Sequence, residues 1–69
     1  MTEYHYNGYI IHPATVKLQT NEWNSEFYIS KYENGVTTEK KFFPADTHPN
    51  RDEAIKFCIK CGISIIDDN

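Results

Sequence analysis

What this sequence is short of narrows its chemistry more than what it contains. It has only three glycines, and they are not clustered as they would be in a loop that cradles phosphate through backbone N–H groups, so a glycine-rich nucleotide site has nothing to build on. Cysteine is limited to Cys58 and Cys61. Standing three positions apart, they cannot staple distant parts of the chain as the several bridges of small secreted domains do. Met1 is followed by Thr2, Glu3 and Tyr4, with no basic region and no apolar run, and a reducing cytoplasm is the compartment expected from these features together. No stretch approaches the roughly 18 consecutive apolar residues of a membrane span, so no membrane partner is expected.

Charge of one sign is also missing. Between residues 15 and 43, Lys17, Lys31, Lys40 and Lys41 balance Glu22, Glu26, Glu33 and Glu39; from Pro44 onward Arg51, Lys56 and Lys60 stand against Asp46, Asp52, Glu53, Asp67 and Asp68. The formal net charge is −3. Neither half carries the dense basic footprint that phosphate neutralisation requires, which disfavours nucleic acid as a partner.

What the sequence does have is aromatic surface. At 69 residues a chain buries only about 60% of the area its unfolded form exposes. Five Tyr, four Phe and one Trp, at roughly 150 to 250 Å² each, supply much of that burial. A composition 39% hydrophobic and 25% charged belongs to a folded chain, and self-association as a homodimer would add to a thin core.

The periodicities predict one α+β domain over residues 1–69, with three or four antiparallel strands followed by a C-terminal helix. Tyr4 to His12 is β-rich and interrupted by Asn7-Gly8. Either a small type I′ hairpin or a single longer strand bulged at Gly8 accommodates it, and the bulged edge strand ending at Pro13 is the arrangement we expect. Val16 and Leu18 lead through a polar stretch to Trp23. Phe27 and Ile29 alternate with Tyr28, Ser30 and Tyr32, and Asn34-Gly35 turns the chain into a returning strand from Val36 to Phe43. Asn50 three residues before Glu53 marks a helix N-terminus. Ala54, Ile55, Cys58 and Ile59 make its buried stripe, and Asp52, Lys56 and Lys60 its solvated row. Gly62 is expected to end the helix, with Ser64-Ile65-Ile66 adding a short terminal strand.

No pattern calls for catalysis, a cofactor or a metal. Cys58-Ile59-Lys60-Cys61 has the C-x-x-C spacing, but it lies late in the helix, where the dipole disfavours a thiolate, and His5, His12 and His48 are not spaced to complete a zinc site. Ser25, Ser30 and Ser64 lack a nucleophile-elbow setting. The expected product is a non-enzymatic protein-binding or regulatory module. With Phe27 and Ile29 turned to the helix, Tyr28 and Tyr32 face outward, and Tyr4, Tyr6 and Phe43 join them on an open sheet face able to contact a protein or a second copy of the chain. The alternatives are a nucleic-acid-binding regulator using Lys31, Lys40 and Lys41 on phosphates, and an acidic mimic of nucleic acid presenting Asp46, Asp52, Glu53, Asp67 and Asp68.

One resemblance bears on this. Tyr6, Gly8, Tyr9, Ile11, Pro13, Trp23, Glu39, Lys40, Phe42, Glu53, Ala54, Ile55, Cys58, Gly62, Ile65, Ile66 and Asp67 follow an order that resembles a group of small bacterial sheet-plus-helix proteins and, more distantly, the HlyU-type transcriptional activators. The resemblance implies a compact sheet-plus-helix fold and a link to transcription. It transfers no functional residue, and the spacing around Trp23 is longer here than in that pattern.

Overall fold

A computed structural model describes residues 2–68. It is the expected α+β arrangement: β1 (Tyr4–Tyr6), β2 (Tyr9–Pro13), β3 (Phe27–Glu33) and β4 (Val36–Phe42), then α1 (Arg51–Asp67). The sheet is an antiparallel meander in the order β1-β2-β3-β4.

Both Asn-Gly pairs are hairpin turns. Asn7 and Gly8 take φ of 49° and 82°, and Asn34 and Gly35 take 54° and 77°, the positive values that a type I′ turn demands at both central residues. The bulged-strand expectation for residues 4–12 is therefore corrected. Tyr6 pairs Tyr9 and Tyr4 pairs Ile11 across a two-residue turn, because Asn-Gly satisfies the left-handed backbone at little cost and the right-handed twist of the flanking strands matches it.

Beyond Pro13 the β2–β3 hairpin continues irregularly. The Ala14 amide donates to the Glu26 carbonyl at 2.8 Å, and Leu18 and Asn21 close the tip by bonds to Glu22 and Leu18. Trp23 exchanges backbone hydrogen bonds with His48 at 2.8 and 2.9 Å, so the loop before the helix is tied to the loop between β2 and β3. The Ser25 hydroxyl reinforces this by donating to the Asp46 carbonyl at 2.6 Å.

The helix begins where the cap residue predicts, with the Asn50 side chain accepting from the Glu53 amide at 2.9 Å. Its buried stripe is Ala54, Ile55, Cys58, Gly62 and Ile66; Ile59 is only half-buried. The expectation that Gly62 terminates the helix, followed by a strand at 64–66, is corrected: the helix runs on to Asp67 and is capped at Asp68. Gly62 serves packing instead. A Cβ there would lie 2.7, 2.9 and 3.0 Å from the Cδ1, Cγ1 and Cγ2 of Ile11, and Ile11 is fully buried at the centre of β2. The missing side chain lets the helix settle directly onto the strand. Ile11, Phe27, Ile29, Cys58 and Ile66 form the core around that contact.

Overpacking typically costs about 1–3 kcal/mol and the better helix propensity of alanine returns about 1 kcal/mol, a net of about 0–2 kcal/mol. Gly62→Ala is expected to lower stability by the upper part of that range, because Ile11 is fully buried and has no room to move aside. Urea unfolding measures it. An unchanged or raised midpoint would show that the helix slides off Ile11 without penalty.

Candidate functional site

Strand register assigns each side chain to a face. Ile11 opposes Ile29, and Ile29 opposes Lys40, so by alternation Tyr4, Tyr6, Tyr9, Lys31, Thr38 and Phe42 share the helix-side face. His5, Ile10, His12, Tyr28, Ser30, Tyr32, Thr37, Glu39 and Lys41 share the open one. The expected tyrosine cluster is thereby divided. Tyr28 and Tyr32 do face outward, but the correction to a hairpin at Asn7-Gly8 puts Tyr4 and Tyr6 on the helix side. Tyr4 stacks on Tyr6 with centroids 6.4 Å apart. The Tyr6 hydroxyl donates to Asp67 at 2.9 Å, and that carboxylate pushes the phenol pKa up by stabilising the protonated form. Phe43 lies just past β4 and lines a groove with Cys61, Ser64 and Ile65, again on the helix side.

On the open face the residues close on one another. The His12 ring stacks on Tyr28 at 4.4 Å and 9°, and its Nε2 lies 2.9 Å from the Ser30 hydroxyl. Glu3 Oε2 is 3.0 Å from His12 Nδ1 but off the N–H direction, so the contact is a charge pairing available to the protonated ring. The order Glu3, His12, Ser30 is that of a base beside a hydroxyl. Ser30 sits in mid-strand between β2 and β4, however, where neighbouring backbone N–H groups are committed to the ladder and cannot hold a developing oxyanion. The arrangement satisfies a polar group on a sheet face. Sequence reasoning missed it because His12 and Ser30 meet on a diagonal across β2 and β3, whose register is set through the irregular connection of residues 14–26.

The three lysines do not form one patch either. Lys31 and Lys40 point to the helix side, and Lys41 to the open side beside Tyr28. Lys31 is also occupied: its Nζ is 3.5 Å from Glu33 and 4.7 Å above the Tyr9 ring, and Glu33 holds its pKa above the ordinary lysine range. The acidic residues are likewise dispersed. Asp52 and Glu53 occupy the first turn of α1 and Asp67 the last residue, separated by roughly 21 Å of helical rise.

The helix packs chiefly on β2 and to a lesser extent on β3, and makes no comparable contact with β4. Two hollows result, of about 510 Å³ and 430 Å³, which share Phe42 and Ile65 as walls. The larger is mixed, with Ile29, Phe42, Ile65 and Ile66 as its apolar part and Lys31, Glu33, Glu39 and Lys40 as its charged part; the smaller is mainly apolar, between Phe27, Phe42 and the exposed Phe43. Phe42 is anchored by stacking on Phe27 at 5.2 Å. Along the same strand, every residue from Val36 to Lys41 is exposed. In a two-residue hairpin the pair next to the turn, here Glu33 with Val36, is hydrogen-bonded, and alternate pairs follow it. The amides of Thr37, Glu39 and Lys41 therefore point away from β3, to an edge that no described residue covers. A bare edge beside a hollow with an apolar part is a place where an extended chain would gain both backbone hydrogen bonds and side-chain burial, and β4 is the longer of the sheet's two edges. The sequence signal was the polar run Thr37 to Lys41 in the last strand before a helix, where lysine and glutamate blunt an edge.

The cysteines are structural. Cys58 is fully buried, its thiol donates to the Ser25 carbonyl at 3.3 Å, and burial pushes its pKa to about 11. Burial also raises Cys61, followed by the nearby charge of Asp46. Among the described residues no group of three or more His, Cys, Asp or Glu is placed to hold a metal ion, and no helix is long and apolar enough to cross a membrane. Comparison with protein-family models, curated proteins and solved structures gave no match for this chain.

Iodoacetamide is expected to alkylate Cys61 in the native protein and Cys58 only after denaturation, because the buried thiol is both sheltered and protonated. Mass spectrometry of timed samples checks this. Equal rates at the two positions would mean that the helix opens from the sheet readily.

Proposed function

We propose that this chain is a non-enzymatic binding module that receives an extended polypeptide segment along β4. The observation that carries the reading is the bare last strand: the helix covers β2 and β3, and leaves the edge amides of Thr37, Glu39 and Lys41 and the apolar hollow beside Phe42 uncovered. Strand addition draws affinity from main-chain hydrogen bonds and specificity from pockets for alternate side chains, and β4 offers both. The open face, with Tyr28 stacked under His12 and Ser30 buried, offers less unspent contact. Capture of a protein segment suits a regulatory role in the cytoplasm and accords with the resemblance to transcriptional activators. Lysines split between two faces support a protein partner over phosphate contacts.

The reading is tested by amide hydrogen exchange, followed by NMR, with and without a neutral strand-forming peptide of alternating threonine and leucine. The amides of Thr37, Glu39 and Lys41 are expected to slow roughly tenfold or more, the equivalent of about 1.4 kcal/mol of protection. Those of β1 are expected to stay unchanged. Unchanged exchange at these three positions, or protection confined to residues of the open face such as Tyr32, would overturn it.

A further inference from the structure

We infer, building on the strand-capture reading, that the segment received at β4 is acidic, carries an apolar residue two positions before its carboxylate, and belongs to a partner other than a second copy of this chain. The second copy is disfavoured because it offers the helix side of β4 the wrong residues. Two β4 strands paired antiparallel about a twofold axis must place that axis at a residue, so that facing side chains share a face. An axis at Glu39 sets Glu39 against Glu39. At Lys41 it sets lysine against lysine. At Lys40 it pairs Glu39 with Lys41 on the open face, but on the helix side it sets lysine against lysine and only threonine against Phe42. Like charges directly opposite one another destabilise a pair. An axis at Thr38 avoids the clash, but it slides the contact to the turn, leaves Lys40 facing Val36 without a counter-charge, and puts Phe42 opposite Asn34.

A foreign strand escapes this restriction, and β4 states what such a strand should carry. On the helix side Lys40 projects from the rim of the hollow, and among the described residues it has no ion-pair partner. Lys31, its diagonal neighbour one strand in, is already taken by Glu33 and Tyr9. The position opposite Lys40 on an added strand therefore suits a carboxylate. Two residues along, on the same face, Phe42 borders the apolar hollow with Ile65, so the position opposite Phe42 suits an aliphatic side chain. Since every pairing in this sheet is antiparallel, the apolar residue precedes the acidic one in the partner.

The test uses two short acetylated and amidated threonine peptides. Each carries one leucine and, two positions later, a glutamate in one peptide and a lysine in the other. Each is titrated by NMR into the full chain and into Lys40→Glu. The glutamate peptide is expected to bind roughly two- to fivefold more tightly than the lysine peptide, a difference that shrinks with added salt and reverses in Lys40→Glu. Glu39→Pro removes one outward amide while sparing the ladder to β3. With its thermal unfolding cooperative, it should lose both peptides. Equal affinities, or a preference indifferent to Lys40→Glu, would overturn the acidic-partner inference while protection of the Thr37, Glu39 and Lys41 amides kept strand capture standing. If neither peptide protects those amides, strand capture itself falls. A dimer of the free chain whose interface protects them would overturn the exclusion of a second copy.

Discussion

The close approach of Gly62 to Ile11 is the constraint on which the rest of this small fold depends. A helix can lie across a twisted antiparallel sheet at several positions, and large side chains on both surfaces would hold it about 10 Å away at any of them. Here a glycine on the helix meets the most buried isoleucine of the sheet. That contact draws α1 over β2 and β3, seats Cys58 under the Ser25 carbonyl, and brings Asp67 to the Tyr6 hydroxyl. It also decides what is left uncovered. One helix of 17 residues shields two strands well and not four: it reaches the short β1 only at Tyr6, and it leaves the seven residues of β4 the more exposed of the two edges.

Most polar groups near the core are matched, with His12 Nδ1 and His48 Nε2 the buried exceptions among the described residues. Ser25 is fully buried, but its hydroxyl finds the Asp46 carbonyl and its own carbonyl takes the Cys58 thiol. Ser30 is buried and meets His12. In a chain this short each unmatched group would cost about 1–3 kcal/mol against a total stability that rarely exceeds about 15 kcal/mol, so these contacts matter to the fold as much as the apolar cluster does.

Local signals carried the architecture. The Asn34-Gly35 hairpin, the alternation of Phe27 and Ile29 against Tyr28 and Tyr32, and the Asn50 cap are all short-range patterns, and each stands where they indicate. Of the two corrected elements, the helix end turned on a tertiary contact and the first hairpin on the local chemistry of Asn7-Gly8. Gly62 reads locally as a stop, and only the presence of Ile11 opposite it makes a glycine useful in mid-helix. Reading Gly8 as a bulge in place of a turn changed the path of β1, which carried Tyr4 and Tyr6 to the other face. The site was legible in its parts, since Lys40 and the tyrosines stand out in the sequence, but the bare edge was not. Which strand a helix leaves exposed depends on where it docks, and no local spacing encodes that.

The backbone exchange between Trp23 and His48 has a consequence for how this protein reports on itself. Trp23 is the lone tryptophan, and it sits half-buried outside the apolar cluster, where the β2–β3 loop meets the loop leading into the helix. Its emission therefore follows the joining of two loops, whereas far-ultraviolet dichroism is dominated by α1. Agreement between the two signals during unfolding is a test of whether the peripheral ladder and the helix-on-sheet core melt as one cooperative body. The single chromophore thus stands at a boundary, where it senses whether the irregular third of the chain is part of the fold or only attached to it.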